Sequence, residues 1–169
     1  MTTKSPPRMR IDVRAAQAIE HVPYLKSKLR AARRLLKSSR LQELSIALVG
    51  DRDMSALHER FMNIKGPTDV LTFPLEHDPR GRIVGGEVVV CVPEARRKVR
   101  IQTNGSLRNE LLLYALHGML HLSGFDDRTD RQFKRMHRME DHILRRLGVG
   151  AVFDPKSSGP AKRKARPRQ

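Results

Sequence analysis

Residues 107–122 impose the strongest condition on the fold, because the run Leu111-Leu-Leu-Tyr-Ala-Leu116 is apolar on nearly every face of a helix that also carries His117 and His121. A helix that is apolar all round has to be buried centrally, with other elements packed on every side. Ser106 is a suitable N-cap and Ser123-Gly124 a suitable stop. Imidazoles at i and i+4 share a face, with Cβ atoms about 5–6 Å apart. Burying both costs free energy unless each finds a partner, and one cation about 2 Å from each ring satisfies both. Beyond the Ser123-Gly124 turn, one of the adjacent acids Asp126 and Asp127 can bring a carboxylate to a third corner of a tetrahedron. Three protein ligands leave the fourth corner to water, as in a catalytic rather than a closed structural site.

The rest of the chain alternates short strands with amphipathic helices. Arg10-Ile-Asp-Val-Arg14 alternates as a strand, and Leu25, Leu29, Ala32, Leu35 and Leu36 recur at helical spacing between Pro23 and Ser38. Lys26, Lys28, Arg30, Arg33, Arg34 and Lys37 occupy the other faces of that helix. Glu43–Val49 reads as a strand, and Asp51 or Asp53 can cap a helix running to about Met62. Two β-branched runs, Thr68–Leu75 and Gly86–Val92, flank the turn Asp78-Pro-Arg-Gly81 and predict a hairpin. Pro93 opens a basic helix with Arg96, Arg97, Lys98 and Arg100, ending before Asn104. A last helix from about Asp130 to Leu147, stopped by Gly148, is predicted to turn Phe133, Met136, Met139, Ile143 and Leu147 inward.

A net charge of +16 and an isoelectric point near 11.1 make the surface a receptor for polyanions, and RNA is the natural candidate. With 4% aromatic residues there is little to stack bases on, so backbone contacts from residues 26–37, 96–100 and the tail are expected to dominate, with weak sequence preference. Cys91 is the single cysteine and has no disulfide partner within the chain. The N-terminus lacks the apolar core of a signal peptide, and no segment approaches the roughly 20 apolar residues of a membrane span. Cytoplasmic residence is the expectation. Residues 1–9 are expected to be flexible, residues 10–150 to form one domain, and residues 151–169 to be a disordered basic tail.

Four motifs occur in order: Pro-Thr-Asp-Val-Leu-Thr-Phe-Pro at 67–74, Gly-Glu-Val-Val-Val at 86–90, His117-Gly-Met-Leu-His121-Leu-Ser-Gly-Phe-Asp126-Asp127, and Met136-x-x-x-Glu140-x-x-Ile143-Leu144. Together they resemble the YbeY family of single-strand-specific, metal-dependent endoribonucleases, over about residues 44 to 148. The resemblance implies an α+β fold: a small mixed β-sheet packed with several helices, in a single domain with a central metal-binding helix. It implies one Zn²⁺ per chain on His117, His121 and Asp127, although family members place a third histidine where this chain has Asp127. It further implies rRNA as substrate, 3′-end maturation of small-subunit rRNA, ribosome quality control, and the ribosomal small subunit as partner. Where the family carries an RNA-contacting arginine this chain has Met62, which leaves Arg60, Lys65 and Arg82 as substrate-binding candidates. Glu87 and Glu110 are candidates for orienting ligands or water, whereas Asp69 is read as structural.

His21, His58, His77, His137 and His142 lack ligand-like spacing and are read as surface or packing residues. Gly118 stands where HExxH peptidases carry their general-base glutamate, so that chemistry is absent. Two histidines and a carboxylate also occur in iron oxygenases, but no cosubstrate pocket is legible. The alternative of another class is a non-catalytic ribosome-assembly or RNA-binding factor with a structural metal.

Overall fold

A computed structural model describes residues 9–102 and 105–150. Four strands, β1 (Arg10–Ala15), β2 (Glu43–Val49), β3 (Val70–His77) and β4 (Ile83–Cys91), form one sheet in the order β1-β2-β4-β3. The first three in that order are mutually parallel, and β3 closes the edge antiparallel to β4 through the expected hairpin. The β3–β4 register shifts at Pro74/Glu76 and again at Glu76/His77. Among the described residues five α-helices accompany the sheet: α1 (Val22–Leu35), α2 (Asp51–Met62), α3 (Val92–Arg100), α4 (Leu107–Leu122) and α5 (Asp130–Arg146). The architecture is α+β, as expected.

Alternation along the strands sorts the two faces. Leu44, Ile46, Leu48, Val88 and Val90 point into the main core with α1 and α4, while Val89, Cys91 and Leu71 meet Met54 of α2 on the reverse face. Leu111, Leu112, Ala115, Leu116, Met119 and Leu120 are all fully buried, and α4 touches β3, β4, α1, α3 and α5. Each of these leucines, and Met119, contributes about 1.5–3 kcal/mol of hydrophobic stabilisation. The metal-helix candidate is thus held by the core itself.

Glycine lets α4 lie this close to the sheet. A Cβ at Gly118 would stand 2.5 Å and 2.6 Å from the Val88 methyls and 3.0 Å from Thr72 Oγ1. At Gly86 it would meet Leu122 at 2.6 Å. Gly118→Ala is therefore expected to lower unfolding free energy by about 1–3 kcal/mol, read from the midpoint of a denaturant titration. An unchanged midpoint would show that α4 can back away at no cost.

Both helix stops use left-handed glycines. At the end of α4, Gly124 has φ +94°, its N–H bonds His121 O at 3.0 Å, and Phe125 N–H bonds Leu120 O at 3.0 Å, which is a complete Schellman motif. Gly148 does the same for α5: its N–H bonds Arg145 O, and Val149 N–H bonds Leu144 O. Thr129 and Gln132 form a reciprocal capping box at the start of α5.

Some expectations are corrected. Gly50, not an aspartate, is the N-cap of α2; Asp51 is the first helical residue, and its carboxylate accepts from Arg97. Ser106 is the N-cap of α4 by position, but its side chain makes no capping bond. Phe133 is 40% exposed, and Leu35 is half-buried. Met9, placed by sequence with the terminal segment, is buried in the core. Cys91, by contrast, is the buried strand residue its apolar run predicts, and burial pushes its thiol pKa up to about 11. Residues 1–8, Asn104 and the basic tail at 151–169 lie outside the described residues.

Candidate metal centre

His117 and His121 project from the last two turns of α4, and the Schellman turn brings the following segment back across them. Each ring is oriented from behind. Nδ1–H of His117 donates to Glu140 Oε1 at 2.6 Å, and Nδ1–H of His121 donates to the Phe125 carbonyl at 3.1 Å. Those bonds leave both Nε2 atoms facing forward, 3.1 Å apart, with Asp127 Oδ2 at 3.7 Å and 3.9 Å from them. Among the described residues these three side chains are the group whose donor atoms converge as a metal site requires.

The triangle fits a small divalent cation. A point about 2.1 Å from all three atoms lies inside it, the length of a zinc bond to imidazole or carboxylate. Two unprotonated Nε2 atoms at 3.1 Å repel unless a proton or a cation lies between them. Burial alone would lower the His117 pKa, but the Glu140 hydrogen bond and charge, aided by Asp127, raise it above the usual imidazole value. Burial and the charge of His117 lower that of His121. One shared positive charge is what this pair is built to hold. The side chains are 21%, 27% and 37% exposed, so each of the three is partly accessible to solvent.

Asp126 is turned elsewhere. Its Oδ1 accepts from Asp127 N–H at 2.8 Å, and its Oδ2 pairs with Arg128. The adjacent aspartates therefore divide: one clamps the loop, and its neighbour faces the imidazoles.

Glu140 is a site residue that sequence spacing did not single out. It is 1% exposed on α5, and its second oxygen accepts from His137 Nδ1 at 2.6 Å. Burial would raise its pKa, but the two imidazole hydrogen bonds outweigh this and hold it low. His137, read from sequence as a surface or packing residue, is a second partner of that carboxylate, and Phe133 packs edge-on against it with ring centres 4.1 Å apart. The Met136-x-x-x-Glu140 motif was the available signal, since it places a carboxylate on the buried face of an amphipathic helix.

A cleft of about 700 Å³ opens beside His117, bordered by Asp69, Glu110, Tyr114, Lys98, Arg97 and His137. Glu110 is 1% exposed, with Gln102 Nε2 at 3.4 Å, and burial raises its pKa. Asp69 caps its own strand, accepting from Val70 N–H at 2.8 Å. Glu87 lies on the α2 face of the sheet and pairs with Arg14, so the sheet separates it from α4. Arg60, Lys65 and Arg82 do not line this cleft. Arg60 lies over the Phe61 ring on α2, Lys65 is exposed in the α2–β3 loop, and Arg82 is tied to Asp78 at 2.7 Å in the hairpin turn. Lys98 and Arg97 are the cations at its wall, and Arg97 is already paired with Asp51 and Glu94.

The sequence profile described as Endoribonuclease YbeY matches residues 10–148. Curated relatives named endoribonuclease YbeY include one from Acidothermus cellulolyticus, 37% identical over 62% of this chain and 70% of its own length. Another, from Saccharopolyspora erythraea, is 37% identical over 72% and 71% respectively, and one from Thermobifida fusca is 36% identical over 68% and 80%. Other such relatives are matched over less of their length, 62% for that from Anaeromyxobacter. The solution structure of TM1509 from Thermotoga maritima is 25% identical and superposes with a TM-score of 0.57, covering 92% of this chain and 99% of that one. A profile match spanning the sheet, the histidine helix and α5, together with these identities, establishes that the chain belongs to the endoribonuclease YbeY family.

Proposed function

We propose that this chain is a zinc-dependent endoribonuclease that cuts single-stranded RNA, with His117, His121 and Asp127 as the metal ligands. The observation that carries the reading is the three-atom triangle on a core-anchored helix, partly accessible to solvent and beside a cleft. A divalent cation there supplies an acidified water and a Lewis acid for phosphate oxygens. The protein's own part is to keep both Nε2 lone pairs forward, by engaging each Nδ1–H from behind, and to hold the loop that presents Asp127. Excess positive charge draws the RNA backbone to the surface, and Lys98 stands at the cleft wall.

We further assign it, on the family's resemblance, to 3′-end maturation of small-subunit rRNA and to ribosome quality control in the cytoplasm, working on the ribosomal small subunit. No helix among the described residues is long and apolar enough to cross a membrane. The test is to incubate metal-replete protein with precursor rRNA and map the new ends. New ends near the mature 3′ terminus support the assignment; intact precursor together with cleavage of other single strands would confine it to a general nuclease. A cyclic phosphate at the product terminus would identify the RNA 2′-hydroxyl, and not water, as the attacking group.

The carboxylate ligand gives a pH prediction. An anionic ligand leaves the site one unit less positive than three imidazoles, so bound water is less acidic. Asp127→His is expected to move the rising limb of the pH–rate profile to lower pH, by on the order of one unit. Coincident profiles would remove Asp127 from the ligand set.

A further inference from the structure

A cleft of about 1190 Å³ lies away from the histidine face, between the end of α1 and the starts of β1 and β2. Its walls carry Arg10, Arg30, Arg33, Arg34, Lys37 and Arg40 against two acids, Asp12 and Glu43. Part of this charge is already committed. Arg33 caps the α1–β2 connection, donating to the carbonyls of Leu41, Leu36 and Ser39 at 2.9, 3.2 and 2.8 Å, and Arg10 pairs with Glu43 at 2.9 Å. Arg30, Arg34, Lys37 and Arg40 are all exposed, and none is in an ion pair among the described residues. Burial and then the nearby charge of Arg40 lower the Arg33 pKa, which marks the crowding of like charges. Like charges that outnumber the acids beside them raise the energy of the free protein, and an anion relieves it.

The cleft is also placed usefully. Ser39, on its wall, bonds Ser123 Oγ at 2.9 Å, and Ser123 caps the histidine helix directly after Leu122. The strand register points the same way: Arg10 pairs with Glu43, Glu43 with Gly85, and the next residue, Gly86, packs on Leu122. The basic cleft and the end of α4 that bears His121 therefore share one end of the sheet. No aromatic side chain lines the cleft, so it offers nothing for a base to stack on.

We propose that this cleft is a second binding site for the sugar-phosphate backbone of single-stranded RNA, holding the strand by Arg30, Arg34, Lys37 and Arg40 apart from the metal centre. The ligand class rests on the nuclease reading above; the geometry of the cleft does not. Lys28, which sequence grouped with these residues, is excluded, because its Nζ donates to Leu147 O at 2.6 Å.

The test is binding of an unstructured single-stranded RNA by the metal-loaded full chain across a salt series, with the RNA confirmed intact afterwards. The triple variant Arg30→Gln/Arg34→Gln/Lys37→Gln is compared with Arg138→Gln/Arg145→Gln/Arg146→Gln, which removes the same number of exposed charges from α5. The triple variant is expected to bind at least about 10-fold more weakly, with a log–log salt slope shallower by about 2, at about 0.7 per phosphate contact. Its thermal unfolding should match wild type, because all three side chains are exposed. Equal losses in both variants would reduce the effect to net charge and overturn the proposal. Unchanged RNA affinity with lost affinity for poly-glutamate would overturn it in favour of an acidic protein segment. If wild type cuts no RNA under any metal while the triple variant still loses RNA affinity, the nuclease reading fails and the cleft's assignment stands.

Discussion

His121→Ala is expected to lower metal-dependent RNA cleavage by at least about 1,000-fold, since a bound cation contributes several kcal/mol of charge stabilisation and each 1.36 kcal/mol is about tenfold in rate. The same substitution should leave the metal-free protein as stable as wild type. The ring is 27% exposed at the rim of the core, and its loss removes the close Nε2 pair. A thermal scan separates the two effects. Wild type gains stability with added zinc, about 4 kcal/mol at a thousandfold excess over Kd, and the variant should gain little. Were wild type instead to unfold on chelation, the metal would be a structural element and the enzymatic reading would lose its support. Five large side chains of α4, Leu111, Leu112, Leu116, Met119 and Leu120, are fully buried in the apolar core, which argues against that outcome.

Glu140→Gln is expected to weaken zinc affinity by about 10- to 100-fold, the usual effect of losing the carboxylate behind a histidine ligand. A neutral amide still fills the space, but it cannot accept a charge-assisted bond from both His117 and His137. The measurement is competition with a chromophoric chelator. An affinity within twofold of wild type would mean that His117 is oriented by packing alone.

A second readout comes from the metal-free protein. Because the folded-state pKa of Glu140 is depressed, its contribution is fully present above the unfolded carboxylate value of about 4.3 and is lost as pH falls through the lower folded value. The acid limb of stability in Glu140→Gln should lack that component. His117 acts in the opposite sense: its raised pKa contributes stability below about 6.5, lost as pH rises through the folded value.

Much of this arrangement was legible in the sequence because it is local. Helical spacing placed His117 and His121 on one face, and the apolar run before them required a central helix. The β-branched runs located β3 and β4, although β4 begins at Ile83 rather than Gly86. What was hidden depends on which elements meet. Spacing along α5 gives Phe133 an inward phase, yet the ring is 40% exposed and packs on His137 instead. Glu87 lies in a motif strand, but alternation sends it to the α2 face, whereas Glu140, far along the chain, reaches His117. Gly118 was informative in sequence only as a missing glutamate. In the fold it is the point where helix and sheet touch. The cations nearest the cleft, Lys98 and Arg97, come from α3 and not from the α2–β3 segment.

The register shifts around Pro74 bear on how the molecule behaves in a crowded solution. An open four-stranded sheet has two rims, and a rim with free amides and carbonyls invites strands from other molecules. On β3 the proline withholds a donor and the irregular pairing twists the rim, while Pro74, Leu75, Glu76 and His77 are all exposed. On β1 the outward positions are Arg10, Asp12 and Arg14, so an approaching strand meets fixed charge. Neither rim offers the flat apolar ladder that would let copies of this chain zip together edge to edge.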